Sequence, residues 1–172
     1  MSTLKVNNLT DLGADAVVTN GVIDSGAFPA GSILQVVSTT KTDTFSTSST
    51  SDVDVTGLSA TITPTSTSSK ILIMMSISCG NTTVKRFNIK RDGAIITAAQ
   101  GSGGSSQATI NANQVDSADR NVVSANYLDS PSSTSAVIYQ VATYTTVGTV
   151  SVNTGSSDQR GISSITLMEV AG

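Results

Sequence analysis

The 172-residue sequence predicts an all-β protein: an antiparallel β-sandwich, jelly-roll-like, with an extended N-terminal arm. Three observations predict it. Short β-branched segments recur along the chain with Ser, Thr, Gly and Asn turn residues between them. No window combines helical periodicity with capping residues over ten positions. Ser and Thr supply about three residues in ten, while charged residues make up only 12%, against roughly 25% in an average domain. Thr suits an exposed strand face, because its branched Cβ fits the pleat while its hydroxyl meets water. A chain of this length buries roughly 68–70% of its unfolded surface, enough for one core without disulfides or metals.

Residues 1–31 differ in kind from the rest. Glycines and Asn20-Gly21 interrupt them every few positions, so neither a long helix nor a long strand is expected. They are nevertheless rich in branched apolar residues, unlike a disordered tail. Leu4, Val6, Leu9, Val17, Val18, Val22, Ile23 and Phe28 cannot build a core of their own, which points to an arm that becomes ordered on a partner. The sandwich domain is expected over residues 32–172.

Ile33 to Thr40 opens that domain as a β-branched strand. The polar run from Lys41 to Ser51 around Phe45 reads as an edge strand or a loop. Asp52 to Val55 alternates acidic and Val residues, as in a half-buried strand, and Ala60 to Thr63 forms another that stops at Pro64. Thr65 to Ser69 is a loop. Lys70 to Cys79 is almost continuously apolar and is the expected central strand. Val84 to Arg91 and Ala94 to Ala99 flank Asp92-Gly93, a strong hairpin signal. Further strands are expected at Ala108–Ile110, Val122–Leu128, Ala136–Thr146 and Gly148–Asn153, with a turn at Val147-Gly148. Ile162 to Val170 closes the chain, with Ile165, Leu167 and Glu169 on one face and Thr166, Met168 and Val170 on the other.

The composition also excludes chemistry. There is no His and no Trp, one Cys (Cys79) and a single Glu (Glu169), so His-based acid/base catalysis, Ser-His-Asp and Cys-His triads and His-containing metal sites are all removed. No cofactor, metal or catalytic residue is expected. Cys79 lies in an apolar run and reads as a small buried hydrophobe. The net charge of −3 disfavours a polyanion, and nucleic-acid binding is not expected. No run approaches the roughly 18 apolar residues of a membrane span, so no membrane insertion is expected.

Several clusters invite a functional reading. In Lys85, Arg86, Lys90 and Arg91, alternation places Arg86 and Lys90 on one face and Lys85 and Arg91 on the other with Phe87 and Ile89. That splits the charge, so solvated residues guarding a hairpin edge are expected, with docking on an acidic protein surface second. The Gly/Ser run 101–106 lacks the Lys-Ser/Thr ending of a phosphate loop. Asp116 to Asn121 lacks the spacing of a calcium loop and reads as turn chemistry. Asp52 and Asp54 are the only carboxylate pair that suggests glycoside hydrolysis, and solvated neighbours on a strand are the expected alternative. A sugar platform would have to use Phe28, Phe45, Phe87, Tyr127, Tyr139 or Tyr144.

Three stretches together resemble a group of small β-rich virion fibre and decoration proteins of tailed bacteriophages, of the marine and cyanophage type. They are the opening Ser2-Thr3-Leu4-Lys5-Val6-Asn7, the junction Phe28-Pro29-Ala30-Gly31-Ser32-Ile33-Leu34-Gln35-Val36-Val37, and the ending Arg160-Gly161-Ile162-Ser163-Ser164-Ile165-Thr166-Leu167-Met168-Glu169-Val170. Thr42-Asp43-Thr44-Phe45, Val55-Thr56-Gly57-Leu58 and Ser68-Ser69-Lys70-Ile71-Leu72 fall between them in the expected order. The resemblance implies a non-enzymatic structural protein of the virion. Its N-terminal arm would attach to a capsid or tail protein, and its β-sandwich would assemble as a homotrimer. A fibre tip that recognises host-surface glycan, with loops 101–106, 114–121 and 154–160 carrying the contact, and a capsid decoration or cement protein are the alternatives.

Overall fold

A computed structural model describes residues 8–10, 16–19, 22–23, 28–80, 84–102, 107–113, 121–154 and 160–172. Three short strands come first: β1 (Asn8–Thr10), β2 (Ala16–Thr19) and β3 (Val22–Ile23). They form an antiparallel sheet in the order β1-β2-β3 and hydrogen-bond to no strand of the other two sheets.

The body follows with β4 (Ile33–Lys41), β5 (Phe45–Thr47), β6 (Val53–Ile62), β7 (Lys70–Gly80), β8 (Val84–Arg91), β9 (Ala94–Ile95), β10 (Ile110–Asn113), β11 (Asn121–Asp129), β12 (Val137–Tyr144), β13 (Val150–Val152) and β14 (Ser163–Val170). One sheet runs β4-β14-β7-β11, with β13 continuing beside the upper end of β7 and β5 outside it. The other runs β10-β8-β12-β6, with β9 as a stub on β8. Every pairing is antiparallel. Counting β4, β6, β7, β8, β10, β11, β12 and β14 in chain order, the first, eighth, third and sixth share one sheet, and the second, seventh, fourth and fifth share the other. This is jelly-roll connectivity.

Alternation on each strand sends one set of side chains between the sheets. Ile71, Ile73 and Ile77 from β7 and Ile165 and Leu167 from β14 meet Leu58, Phe87, Ile89 and Tyr139 from the facing sheet, all fully buried. Lys70 to Cys79 is the central strand as expected, paired along both edges. The face split expected for the last strand also holds, with Ile165, Leu167 and Glu169 buried.

The two strands expected at Asp52–Val55 and Ala60–Thr63 are one strand, β6. A bulge at Gly57 joins them, with a φ of +79 and a register shift opposite it in β12. The bulge restores alternation, so that Val55 and Leu58, three apart, both reach the core. The Asp92-Gly93 turn is present, with φ of 49 and 83, the left-handed pair a two-residue hairpin requires. Its second strand covers only Ala94–Ile95 before a 3-10 turn at Thr97–Ala99, rather than the whole of Ala94–Ala99. The strand expected at Ala108–Ile110 starts later, at Ile110.

The junction between arm and body is tied to the end of the chain. Gly31 N donates to Ala171 O, and Ala171 N donates to Ser32 O, both at 2.8 Å.

Candidate assembly surfaces

Of the residues expected to anchor the arm, Leu4 and Val6 lie outside the described residues, as do the side chains of Leu9, Val17, Val18, Val22 and Ile23. Backbone register places Leu9 opposite Val18 and Val18 opposite Ile23, so these three stand in one row across the small sheet. These strands are three, four and two residues long, shorter than the usual length of about five or six. Phe28, at the start of the body, is 40% exposed.

The ionisable side chains of the body are mostly tied to internal partners. Arg91 Nη1 donates to both carboxylate oxygens of Asp129, at 3.0 and 2.8 Å, and Tyr139 OH donates to Asp129 Oδ2 at 2.6 Å. Burial, reinforced by Asp129, pushes the Tyr139 phenol up. A shallow concavity beside this triad is lined by Arg91, Thr97, Tyr127, Asp129 and Ser130. Glu169 is fully buried and accepts hydrogen bonds from Gln35 Nε2 at 2.6 Å and from Thr65 N and Oγ1, both at 2.7 Å. Desolvation pushes its carboxyl up, but these donors outweigh it and hold the group below the usual carboxylate range. Cys79 is 1% exposed, and burial pushes its thiol up, as suits a packing residue.

The basic cluster divides by face as alternation requires, but it does not guard an edge. β8 is an interior strand, flanked by β10 and β12. Lys85 is fully buried. Arg86 lies 5.2 Å from the centre of the Tyr144 ring and donates to Asn111 Oδ1 at 3.0 Å. Lys90 pairs with Asp54 at 2.6 Å. Asp52 accepts instead from Asn88 Nδ2 at 2.8 Å. The two aspartates are therefore held by separate partners, an arrangement unlike an acid and a nucleophile sharing one substrate. The loop at 101–106 is described only at 101 and 102, while 114–120 and 155–159 lie outside the described residues. Among the described residues no group of three His, Cys, Asp or Glu could hold a metal ion.

These contacts dress the outer face of the β10-β8-β12-β6 sheet for water. The opposite outer face has a different character. Register aligns Val36, Met168, Leu72 and Leu128 in one row across β4, β14, β7 and β11. The next row is Ser38, Thr166, Met74 and Asn126, and the third is Thr40, Ser164, Ser76 and Ser124. None of these twelve side chains is charged. Val36 is 54% exposed, Met74 42% and Leu128 45%. Lys70, exposed, ends the face at one margin.

Sequence reasoning missed this face. The signal was in β7, where Leu72 and Met74 are apolar at the positions that alternate with the core isoleucines. Continuous apolarity marks the run as a central strand but does not tell its faces apart, and only the Ile71, Ile73, Met75 and Ile77 side is core. Comparison with known proteins finds no family model that matches the chain and no curated protein similar to it.

Proposed function

We propose that the chain is a non-enzymatic structural protein of a bacteriophage virion, a homotrimeric fibre-like appendage held on a capsid or tail protein by its N-terminal arm. The observation that carries this reading is the division between a closed jelly roll with its own core and a separate sheet of three short strands that hydrogen-bonds to neither sheet of the body. A separate sheet of short strands gains stability by docking. Burying one large apolar side chain fully is worth roughly 1.5–3 kcal/mol before ordering costs, so a row such as Leu9, Val18 and Ile23 is enough for a specific anchor. The body supports a passive role. It has no His, and Arg91, Asp129, Tyr139 and Glu169 are spent on one another or on neighbouring backbone and side chains.

Electron microscopy of purified particles, labelled with an antibody to this chain, tests the proposal. Discrete label on the capsid or tail surface is expected. Particles free of label would overturn it.

The concavity lined by Arg91, Tyr127 and Asp129 favours a second reading, a fibre tip that binds host-surface glycan, because an aromatic beside polar hydrogen-bonding groups suits a sugar. A glycan array with the full chain separates the two, and binding to no glycan would count against the tip.

A further inference from the structure

From the contrast between the two outer faces of the sandwich, we infer that the uncharged outer face of the β4-β14-β7-β11 sheet is the surface on which copies of this chain meet, its occupant being a second copy. The inference rests on the homo-oligomeric part of the function proposed above, and adds which surface carries it.

Three observations converge on a copy as the occupant. The first is charge. Twelve aligned side chains across four strands include no Asp, Glu, Lys or Arg, although the chain as a whole carries 12 acidic and 9 basic residues. The opposite face carries Arg86, Lys90 and Asp54. A face without charge is compatible with itself in any rotational arrangement, and its hydroxyls can exchange hydrogen bonds across an interface without desolvating an ion. Ser38 Oγ and Thr166 Oγ1 already pair at 2.8 Å within the face, which leaves further donor and acceptor capacity outward.

The second is size. The three rows cover five residues of each of four strands, which at about 3.3 Å per residue and about 4.8 Å between strands span roughly 320 Å² before side-chain relief. In a closed trimer each protomer gives a different patch to each of its two neighbours, so this face is joined by the adjoining β11 edge in reaching the ~1,000 Å² at which specific interfaces begin. Val36, Leu72, Met74, Leu128 and Met168 make up the apolar part of the face, and Val36, Met74 and Leu128 of these are open to water.

The third is the edge beside it. β11 is nine residues long and contains no Pro and no Lys, and its one charged residue, Asp129, points inward to Arg91 and Tyr139. The strand itself therefore carries neither the outward charge nor the proline by which free edge strands avoid unwanted pairing. An uncharged face continuous with an unguarded edge is what a protomer contact would use.

The chain's own arm fits less well. β1, β2 and β3 pair only with one another, and residues 1–27 bring Lys5, Asp11, Asp15 and Asp24, which would lie against the uncharged rows.

The experiment measures the mass of the full chain by light scattering during gel filtration, for the wild type and three variants. Met74→Glu places a carboxylate at the centre of the face. Asn126→Glu does so on the exposed part of β11, where folding is least at risk. Ile138→Glu places the same charge at an exposed position on the other sheet. The wild type and Ile138→Glu are expected at about three times 17.4 kDa, and Met74→Glu and Asn126→Glu at 17.4 kDa with an unchanged β-sheet circular dichroism spectrum. If the wild type is oligomeric and Asn126→Glu and Met74→Glu stay oligomeric, the face inference is overturned while the homo-oligomer stands. A monomeric wild type overturns both. If deletion of residues 2–27 turns a monomeric wild type into an oligomer, the arm is the occupant and the inference is again overturned.

Discussion

At the scale of single residues, Glu169 shows how a charge-scarce chain uses its one glutamate. The carboxylate sits at the end of the last strand, sealed from solvent, and binds Gln35 in the first body strand and Thr65 in the loop after β6. Its neighbours Ile165 and Leu167 share its face, and that much is legible from alternation alone. Its partners are not, because they lie 134 and 104 residues away in sequence. Since its folded-state pKa is lowered, its contribution to stability is complete above the ordinary value of 4.5 and is lost as pH falls through the folded value. Acid titration of unfolding should therefore show the wild type weakening below about pH 4.5. Glu169→Gln should be less stable at pH 7 by about 1–3 kcal/mol, because a donor amide replaces one accepting oxygen, and its stability should fall less steeply in acid. An identical acid slope in the variant would remove Glu169 from the explanation.

At the scale of elements, the sequence was most readable where a strand keeps its alternation, as in β14 and most of β11, and least where an extra residue resets it. β6 looks like two strands because Val55-Thr56-Gly57-Leu58 breaks the period of two, and only the left-handed φ of Gly57 reveals a single strand with a bulge. An L-residue there pays roughly 1–2 kcal/mol for the left-handed conformation. Gly57→Ala should lower stability by about that amount in urea unfolding, and no measurable change would mean that the bulge relaxes without strain. The basic hairpin was misread for a related reason. The Asp92-Gly93 turn is local and legible, but whether β8 lies at an edge depends on β10 and β12, which reach it from 20 and more positions away. Lys85, Arg86, Lys90 and Arg91 thus alternate as expected and yet serve the interior of a sheet.

At the scale of the whole molecule, the low charge that first argues against an active site becomes a positional statement. Among the described residues Arg86, Lys90 and Asp54 stand on one outer face, while the three aligned rows of the other hold only Ser, Thr and Asn beside Val36, Leu72, Met74, Leu128 and Met168. Composition could foretell a hydroxyl-rich strand protein, but not the segregation, which exists only once register aligns β4, β14, β7 and β11. The proposed function joins this body to an arm whose three short strands pair only with one another. Its most direct test is to replace the gene in the phage with one lacking codons 2–27 and to assay the truncated protein in lysate and in purified particles. The account predicts a soluble protein with a cooperative unfolding transition and the oligomeric mass of the full chain, present in the lysate and absent from particles. Truncated protein retained on particles at the wild-type level would contradict it.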